Sequence, residues 1–341
     1  MASGASAPAA DDAGRAFDAS GVPLRVVTAA SLFDGHDAAI NVMRRLIQAA
    51  GCEVIHLGHD RSALDVVKAA IEEDAHAVAL TSYQGGHMEY FTYIRELLNA
   101  AGRSDIRIFG GGGGTITPPE IRDLHAAGIT RIYSPDDGRQ MGLLGMIDDL
   151  VKQAGECDLL AQDIGLNAPV NPSNREKVAR LISVAENADS VTFAQSLKAC
   201  RSRPMETRVP VIGFTGTGGA GKSSLLDELM RRITTQNPQL NVALLCTDPT
   251  RKRTGGALLG DRIRMNTLVS DQLFMRSLAS RSSGKELSEK TREAIEVCQA
   301  VGYDLIFVET SGIGQGSDAI TDVSDVSLYV MTSEFGAHTQ L

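Results

Sequence analysis

The residues Gly216-Thr217-Gly218-Gly219-Ala220-Gly221-Lys222-Ser223-Ser224 have the types and spacing to hold a polyphosphate. The apolar run of residues 209–214 precedes them and a helical pattern follows from Leu225, which is the strand–turn–helix setting of a P-loop. Glycines let backbone N–H groups curl around an anion, and the helix N-terminus adds its dipole. Lys222 is placed to reach β/γ-phosphates and Ser223 to hold Mg²⁺, so the chain is expected to bind a nucleoside triphosphate. Three carboxylates could complete the site. Asp248 and Glu309 each end an apolar run, where a carboxylate can meet the Mg²⁺ directly or through water. Asp261 follows a Gly/Thr-rich stretch, residues 248–261, which reads as a mobile loop able to answer a γ-phosphate. Asp248 before Pro249 could equally be a turn cap, and Asp261 an ordinary loop residue.

A second set lies near the N-terminus. Asp34-Gly35-His36-Asp37 follows the first apolar run, at the strand end where open α/β sheets bind ligands. His36 could ligate a metal through one ring nitrogen while Asp34 orients the other, or it could be a surface histidine beside a capping Asp. Ser82-Tyr83-Gln84-Gly85-Gly86 and the run Gly110 to Gly114 fall at the same edge. A run of glycines clears side chains from a groove, so that something large and flat can lie against the backbone.

The elements that position these residues are regular. From Pro23, apolar runs at residues 24–30, 53–57, 77–81, 106–109 and 129–133 alternate with helical patterns, the last over residues 142–152. Five β–α units predict a doubly wound parallel α/β sheet of flavodoxin-like order over residues 23–153. Residues 1–22 are Ala/Ser/Gly/Asp-rich and read as a disordered tail. Residues 154–208 read as a helical linker, with helices at 175–187 and 191–200. A P-loop NTPase α/β domain occupies residues 209–341, with strands at 209–214, 241–247, 305–308 and 326–331 and helices at 222–235 and 288–302.

Composition excludes several partners. Net charge −9, 4% aromatic residues and no Trp leave neither a basic face nor a stacking platform for nucleic acid. No apolar run approaches the ~20 residues that span a bilayer. Five cysteines without a C-x-x-C pair point to reduced thiols and a cytoplasmic chain without structural zinc.

Asp34-Gly35-His36, Ser82 and Gly113-Gly114-Thr115-Ile116 resemble the D-x-H-x-x-G … S-x-L … GG signature of the cobalamin-binding domain of B12-dependent mutases. The resemblance implies that His36 is the lower axial ligand of cobalt, that Asp34 hydrogen-bonds it, and that Ser82, Gly113 and Gly114 surround the displaced nucleotide tail. Ala39 stands where the motif has Gly, and Gln84 where it has Leu. The second half resembles the G-protein chaperones of methylmalonyl-CoA mutase through the P-loop, Asp248-Pro249-Thr250, Gly255-Gly256, Leu259-Gly260-Asp261-Arg262-Ile263-Arg264-Met265 and Glu309-Thr310-Ser311-Gly312-Ile313-Gly314-Gln315. That implies GTP/GDP on residues 218–224, Mg²⁺ served by Ser223, Asp248, Asp261 and Glu309, and hydrolysis that governs B12 loading. The guanine-reading N-K-x-D motif does not occur, so guanine is implied by the resemblance alone.

The domain order is similar to that of the fused isobutyryl-CoA mutases. It implies adenosylcobalamin as cofactor and an acyl-CoA substrate on a C-terminal mutase domain that is absent from this chain. It also implies a G domain incomplete at its C-terminus, a homodimer, and a B12 adenosyltransferase as a partner. A stand-alone GTP-dependent B12 carrier serving a separate mutase subunit is the alternative. A receiver-like first domain fits poorly, because Tyr133-Ser134-Pro135 supplies no lysine after the fifth strand.

Overall fold

A computed structural model describes residues 14–251, 254–281, 287–312 and 319–332. Residues 1–13 of the expected tail, and the Ile313-Gly314-Gln315 part of the last motif, lie outside the described residues. The chain divides into two compact units, one of residues up to Ile164 plus Arg251–Ile263, the other of Gly165–Thr250 plus Arg264–Leu341.

In the first unit, β1 (Arg25–Ser31), β2 (Glu53–Arg61), β3 (Ala77–Thr81), β4 (Arg107–Gly111) and β5 (Arg131–Tyr133) alternate with α1 (Asp37–Ala49), α2 (Ala63–Glu72), α3 (His87–Ala100), α4 (Pro118–Ala126) and α5 (Pro135–Gly155). All pairs are parallel, in the order β5-β4-β3-β1-β2, the flavodoxin-like order expected. β1 is buried along its whole length, as a strand covered on both faces must be. Helix starts follow local rules. Ser62 with Asp65, Thr117 with Glu120 and Ser134 with Asp137 each form a reciprocal capping box. The closing helix begins seven residues before its expected start at 142, because Ser134-Pro135 supplies the cap and first turn, and it kinks at Gly142.

Three expectations need correction. The segment before Pro23 is not wholly disordered tail. Phe17 bridges Pro23, and the buried Asp18 carboxylate accepts from the Val22 amide at 2.8 Å, the Leu159 amide at 2.9 Å and His76 Nε2 at 3.2 Å. Because His76 Nδ1 accepts from the Arg25 amide, its Nε2 carries the proton given to Asp18. The stretch 248–261 is not simply a mobile loop. Ala257–Leu259 forms a strand, β8, parallel to β2, extending the first sheet to six strands. Nor do the helices of 154–208 form a linker. α6 (Arg175–Asn187) and α7 (Ser190–Cys200) bury Val178, Leu181, Ile182, Leu197 and Cys200 in the core of the second unit, and Arg276 binds Glu186 there at 2.7 Å.

The second unit's sheet has the order β11-β6-β10-β7-β9, all parallel: β6 (Val211–Gly216), β7 (Val242–Asp248), β9 (Leu273–Ala279), β10 (Leu305–Glu309) and β11 (Val326–Val330). α8 (Lys222–Gln236) and α9 (Thr291–Val301) follow β6 and precede β10. β9 was not anticipated. Its Leu273-Phe274-Met275-Arg276-Ser277-Leu278-Ala279 has no alternation, since every residue is buried.

Burial alone would raise the Asp18 carboxyl, but hydrogen bonds from His76 and the Leu159 and Val22 amides outweigh it and hold the pKa at about 2. The stability this contributes is present above the unfolded value near 4 and is lost as pH falls through about 2. Denaturant titrations between pH 5 and 2 should show a shallower acid slope for Asp18→Asn than for wild type, with a loss of about 1–3 kcal/mol at pH 7.

Candidate functional site

At the C-terminal edge of the first sheet, Asp34 is buried and anchors three groups. One carboxylate oxygen accepts from the Tyr83 amide at 2.7 Å; the other accepts from the His36 amide at 3.0 Å and from His36 Nδ1 at 2.8 Å. Burial pushes the Asp34 carboxyl up, but the Tyr83 and His36 donors prevail and keep it below the ordinary carboxylate range. An ionised Asp34 only accepts, so His36 carries its proton on Nδ1 and leaves the Nε2 lone pair for a ligand. The His36 side chain is 70% exposed, and its ring lies 5.4 Å from that of Tyr83. The preceding Phe33 sits at φ 62° with its amide donating to Asp60, and its ring is 80% exposed. Left-handed backbone at a bulky residue is costly and concentrates at functional edges.

Beside this histidine opens a cavity of about 530 Å³, walled by α1 and α5 on one side and the ends of β3, β4 and β5 on the other. Met43, Tyr133 and Gly138 line it, as do Gly110 to Gly113. Ala39, one of the two departures from the motif, adds its methyl to the same wall. Of the residues expected around a displaced tail, Gly113 lines the cavity. Ser82 is outside that lining and faces a separate cavity with Ser31 and Phe33, its amide donating to the Gly111 carbonyl at 2.9 Å and its hydroxyl bonded to Ser31. Gly114 is exposed in a short 3₁₀ turn outside that lining. Tyr83 and Tyr133 are wall residues that spacing did not single out, since a lone aromatic in a loop carries no periodic signal.

In the second unit, β6 delivers the phosphate loop and α8 starts at Lys222. Gly221 occupies φ 88°, which bends the chain into the helix. Lys222 Nζ donates to the Gly216 carbonyl at 3.0 Å and the Thr217 carbonyl at 3.1 Å. Ser223 Oγ donates to Glu309 Oε1 at 2.8 Å, and both are buried. β10 lies between β6 and β7, so Glu309 and Asp248 end adjacent strands at the edge that carries the loop. The fit to a magnesium nucleotide rests on this hydroxyl–carboxylate pair and on the exposed backbone of Gly218, Gly219 and Gly221. Asp261 is buried and opens a 3₁₀ turn, Asp261–Arg264, after β8.

Two family models match the chain: the B12 binding domain over residues 24–138 and the methylmalonyl-CoA mutase-associated GTPase MeaB over residues 178–341. The first half is thus similar to B12-binding domains and the second to MeaB GTPases. The fused isobutyryl-CoA mutase of Geobacillus kaustophilus is 54% identical over 326 residues, covering 93% of this chain and 30% of that protein. Those of Cupriavidus metallidurans and Nocardia farcinica are 52% and 53% identical, covering 93% and 94% of this chain and 29% of each relative. The chain thus spans under a third of the length of these relatives. Among the described residues no helix is long and apolar enough to cross a membrane.

Within the B12-binding domain, a Cβ on Gly112 would lie 1.9 Å from the Ser82 carbonyl oxygen, a backbone atom that no rotamer can move aside. Gly112→Ala should therefore lower the melting temperature, by an overpacking cost of about 1–3 kcal/mol, and weaken cobalamin binding in an absorbance titration.

Proposed function

We propose that the B12-binding domain holds cobalamin through His36 and that the GTPase domain hydrolyses GTP to control its loading and release. The observation that carries this reading is a solvent-facing His36 whose Nδ1–H is fixed by buried Asp34, beside a glycine-walled cavity of about 530 Å³. His36 Nε2 would ligate cobalt, with Asp34 holding the ring in that tautomer. The cavity, with Gly113 in its wall, would accommodate the nucleotide tail, and Ser82 and Gly114 would support the surrounding loops. Adenosylcobalamin, when bound, supplies a carbon radical by homolysis of its cobalt–carbon bond.

GTP and GDP occupy the loop of residues 218–224. Lys222 exchanges its two backbone acceptors for the β- and γ-phosphates, and Ser223, Asp248, Asp261 and Glu309 serve Mg²⁺ directly or through water. Guanine, rather than adenine, is supported by the GTPase family match. In a longer protein, like the relatives, the reaction served is interconversion of isobutyryl-CoA and n-butyryl-CoA on a mutase domain. Such a protein would be a cytoplasmic homodimer, receiving its cofactor from a B12 adenosyltransferase.

Absorbance and electron paramagnetic resonance spectra of the protein with cobalamin test the axial ligand. Wild type should give the base-off, histidine-on signature, and its persistence in His36→Ala would remove the assignment. Lys222→Ala should reduce GTP hydrolysis by at least about 10²-fold, the scale of losing one charged group that acts on the transition state. Cobalamin affinity measured without nucleotide should stay unchanged in that variant.

A further inference from the structure

The chain leaves the second unit at Thr250, places Arg251 and residues 254–263 in the first, and returns at Arg264. Two expected magnesium-site carboxylates, Asp248 and Asp261, therefore flank or end a segment that folds as part of the B12-binding domain. β8 lies along β2 in the register Glu53↔Ala257, Val54↔Leu258 and Ile55↔Leu259, with the Ala257 amide donating to the Cys52 carbonyl. Ala257 and Leu259 are fully buried, and Leu258 packs on the core that contains Ile47, Val54 and Leu150. Gly256 has no room for a side chain. A Cβ there would stand 2.1 Å from the Gln48 carbonyl oxygen and 2.9 Å from that of Cys52.

Beyond the strand, Arg262 enters a buried charge chain. Its Nη1 meets Glu72 at 2.8 Å, and its Nε and Nη2 meet Glu73 at 3.2 and 3.1 Å. Glu73 also binds Arg25 at 2.6 Å, and Arg25 binds Glu53 at 2.8 Å. Glu53 is the first residue of β2 and the register partner of Ala257, so the chain of charges closes on the strand pair itself. Each of these side chains is at most 6% exposed. Burial works against the Arg262 guanidinium, but Glu72 and Glu73 outweigh it and hold its pKa above the ordinary value. Glu72 and Glu73 end α2, which packs on β2 and on β1 and β3, the strands that lead into the His36 and Ser82 loops.

From these contacts we propose that residues 254–263 are a coupling arm, and that Arg262, seated on Glu72 and Glu73, is the positioning residue that ties Asp261 to the cobalamin-binding fold. This rests on the function proposed above and names the residues through which its two sites influence one another. Whatever displacement nucleotide imposes on Asp261 is resisted or transmitted by β8 and the Arg262 ion pairs. By linkage, cobalamin then biases nucleotide affinity by the same factor. Losing Arg262 removes one buried counter-charge from Glu72 and Glu73, whereas a methyl on Gly256 unseats β8 by steric exclusion alone. The two variants attack the arm through different physics.

The test uses the full chain and adenosylcobalamin titrations, followed by absorbance with and without a non-hydrolysable GTP analogue and Mg²⁺. Wild type should show a nucleotide-dependent change in cobalamin affinity of about fivefold or more. In Arg262→Met and Gly256→Ala that change should fall below about twofold, while each ligand bound alone keeps its affinity. Amide exchange of residues 257–259 in wild type should respond to the analogue, a readout that needs no variant to fold. Retained coupling in a folded variant, or exchange at 257–259 indifferent to nucleotide, overturns the arm and leaves the proposed function standing. Absence of coupling in wild type overturns both the arm and GTP-controlled loading. Loss of either ligand's own affinity in the variants reduces Arg262 to a structural residue and rejects the proposal.

Discussion

Both sheets are wholly parallel, with β1, β3 and β9 buried along their whole length, and that single constraint decides where chemistry can occur. A strand buried on two sides has no place for an unpaired polar group, so functional side chains collect where strands end. His36, Ser82 and the glycines from Gly112 follow β1, β3 and β4. The phosphate loop, Asp248 and Glu309 close β6, β7 and β10. The charged groups the strands do bury, such as Arg25, Glu53 and Arg276, are paired, and the strands hold those ends in place.

Within that frame Asp34 and Glu309 play similar parts. Each is a buried carboxylate at a strand end whose cost of desolvation is offset by donors. Asp34 takes the Tyr83 and His36 amides and the imidazole; Glu309 takes the Ser223 hydroxyl. A carboxylate satisfied in this way is an orienting device. Asp34 presents one imidazole nitrogen outward, and Glu309 fixes the hydroxyl of Ser223, next to Lys222. The exposed, left-handed Phe33 beside Asp34 is the opposite case, a strained residue kept at the rim of the site.

The first sheet is also finished by a strand borrowed from the second half of the sequence. Without β8, β2 would present an open ladder edge. A strand so short is held by more than its ladder. The buried pairs of Arg262 with Glu72 and Glu73 fix its far end, and a missing Cβ at Gly256 allows its near end to approach. The glycine pair Gly255-Gly256 and the basic-acidic sequence around Asp261 are therefore parts of a docking element. Their place in the chain suggests nothing but a loop.

The sequence by itself determined the alternation of apolar runs, the β–α order of the first unit, the phosphate loop and the Asp34–His36 pair, because these are local patterns of two to fifteen residues. Periodicity and caps located most helices to within a few positions. The tertiary structure alone decided β8, β9, the packing of α6 and α7 into the second core, and the ordering of Asp18. Each depends on a partner far along the chain: Glu53 for Ala257, Glu186 for Arg276, Leu159 and His76 for Asp18. A fully buried strand such as β9 has no alternation to read, and a three-residue strand such as β8 is too short to carry any. What makes them strands is a neighbouring backbone with unpaired hydrogen-bonding groups, which no local pattern can report.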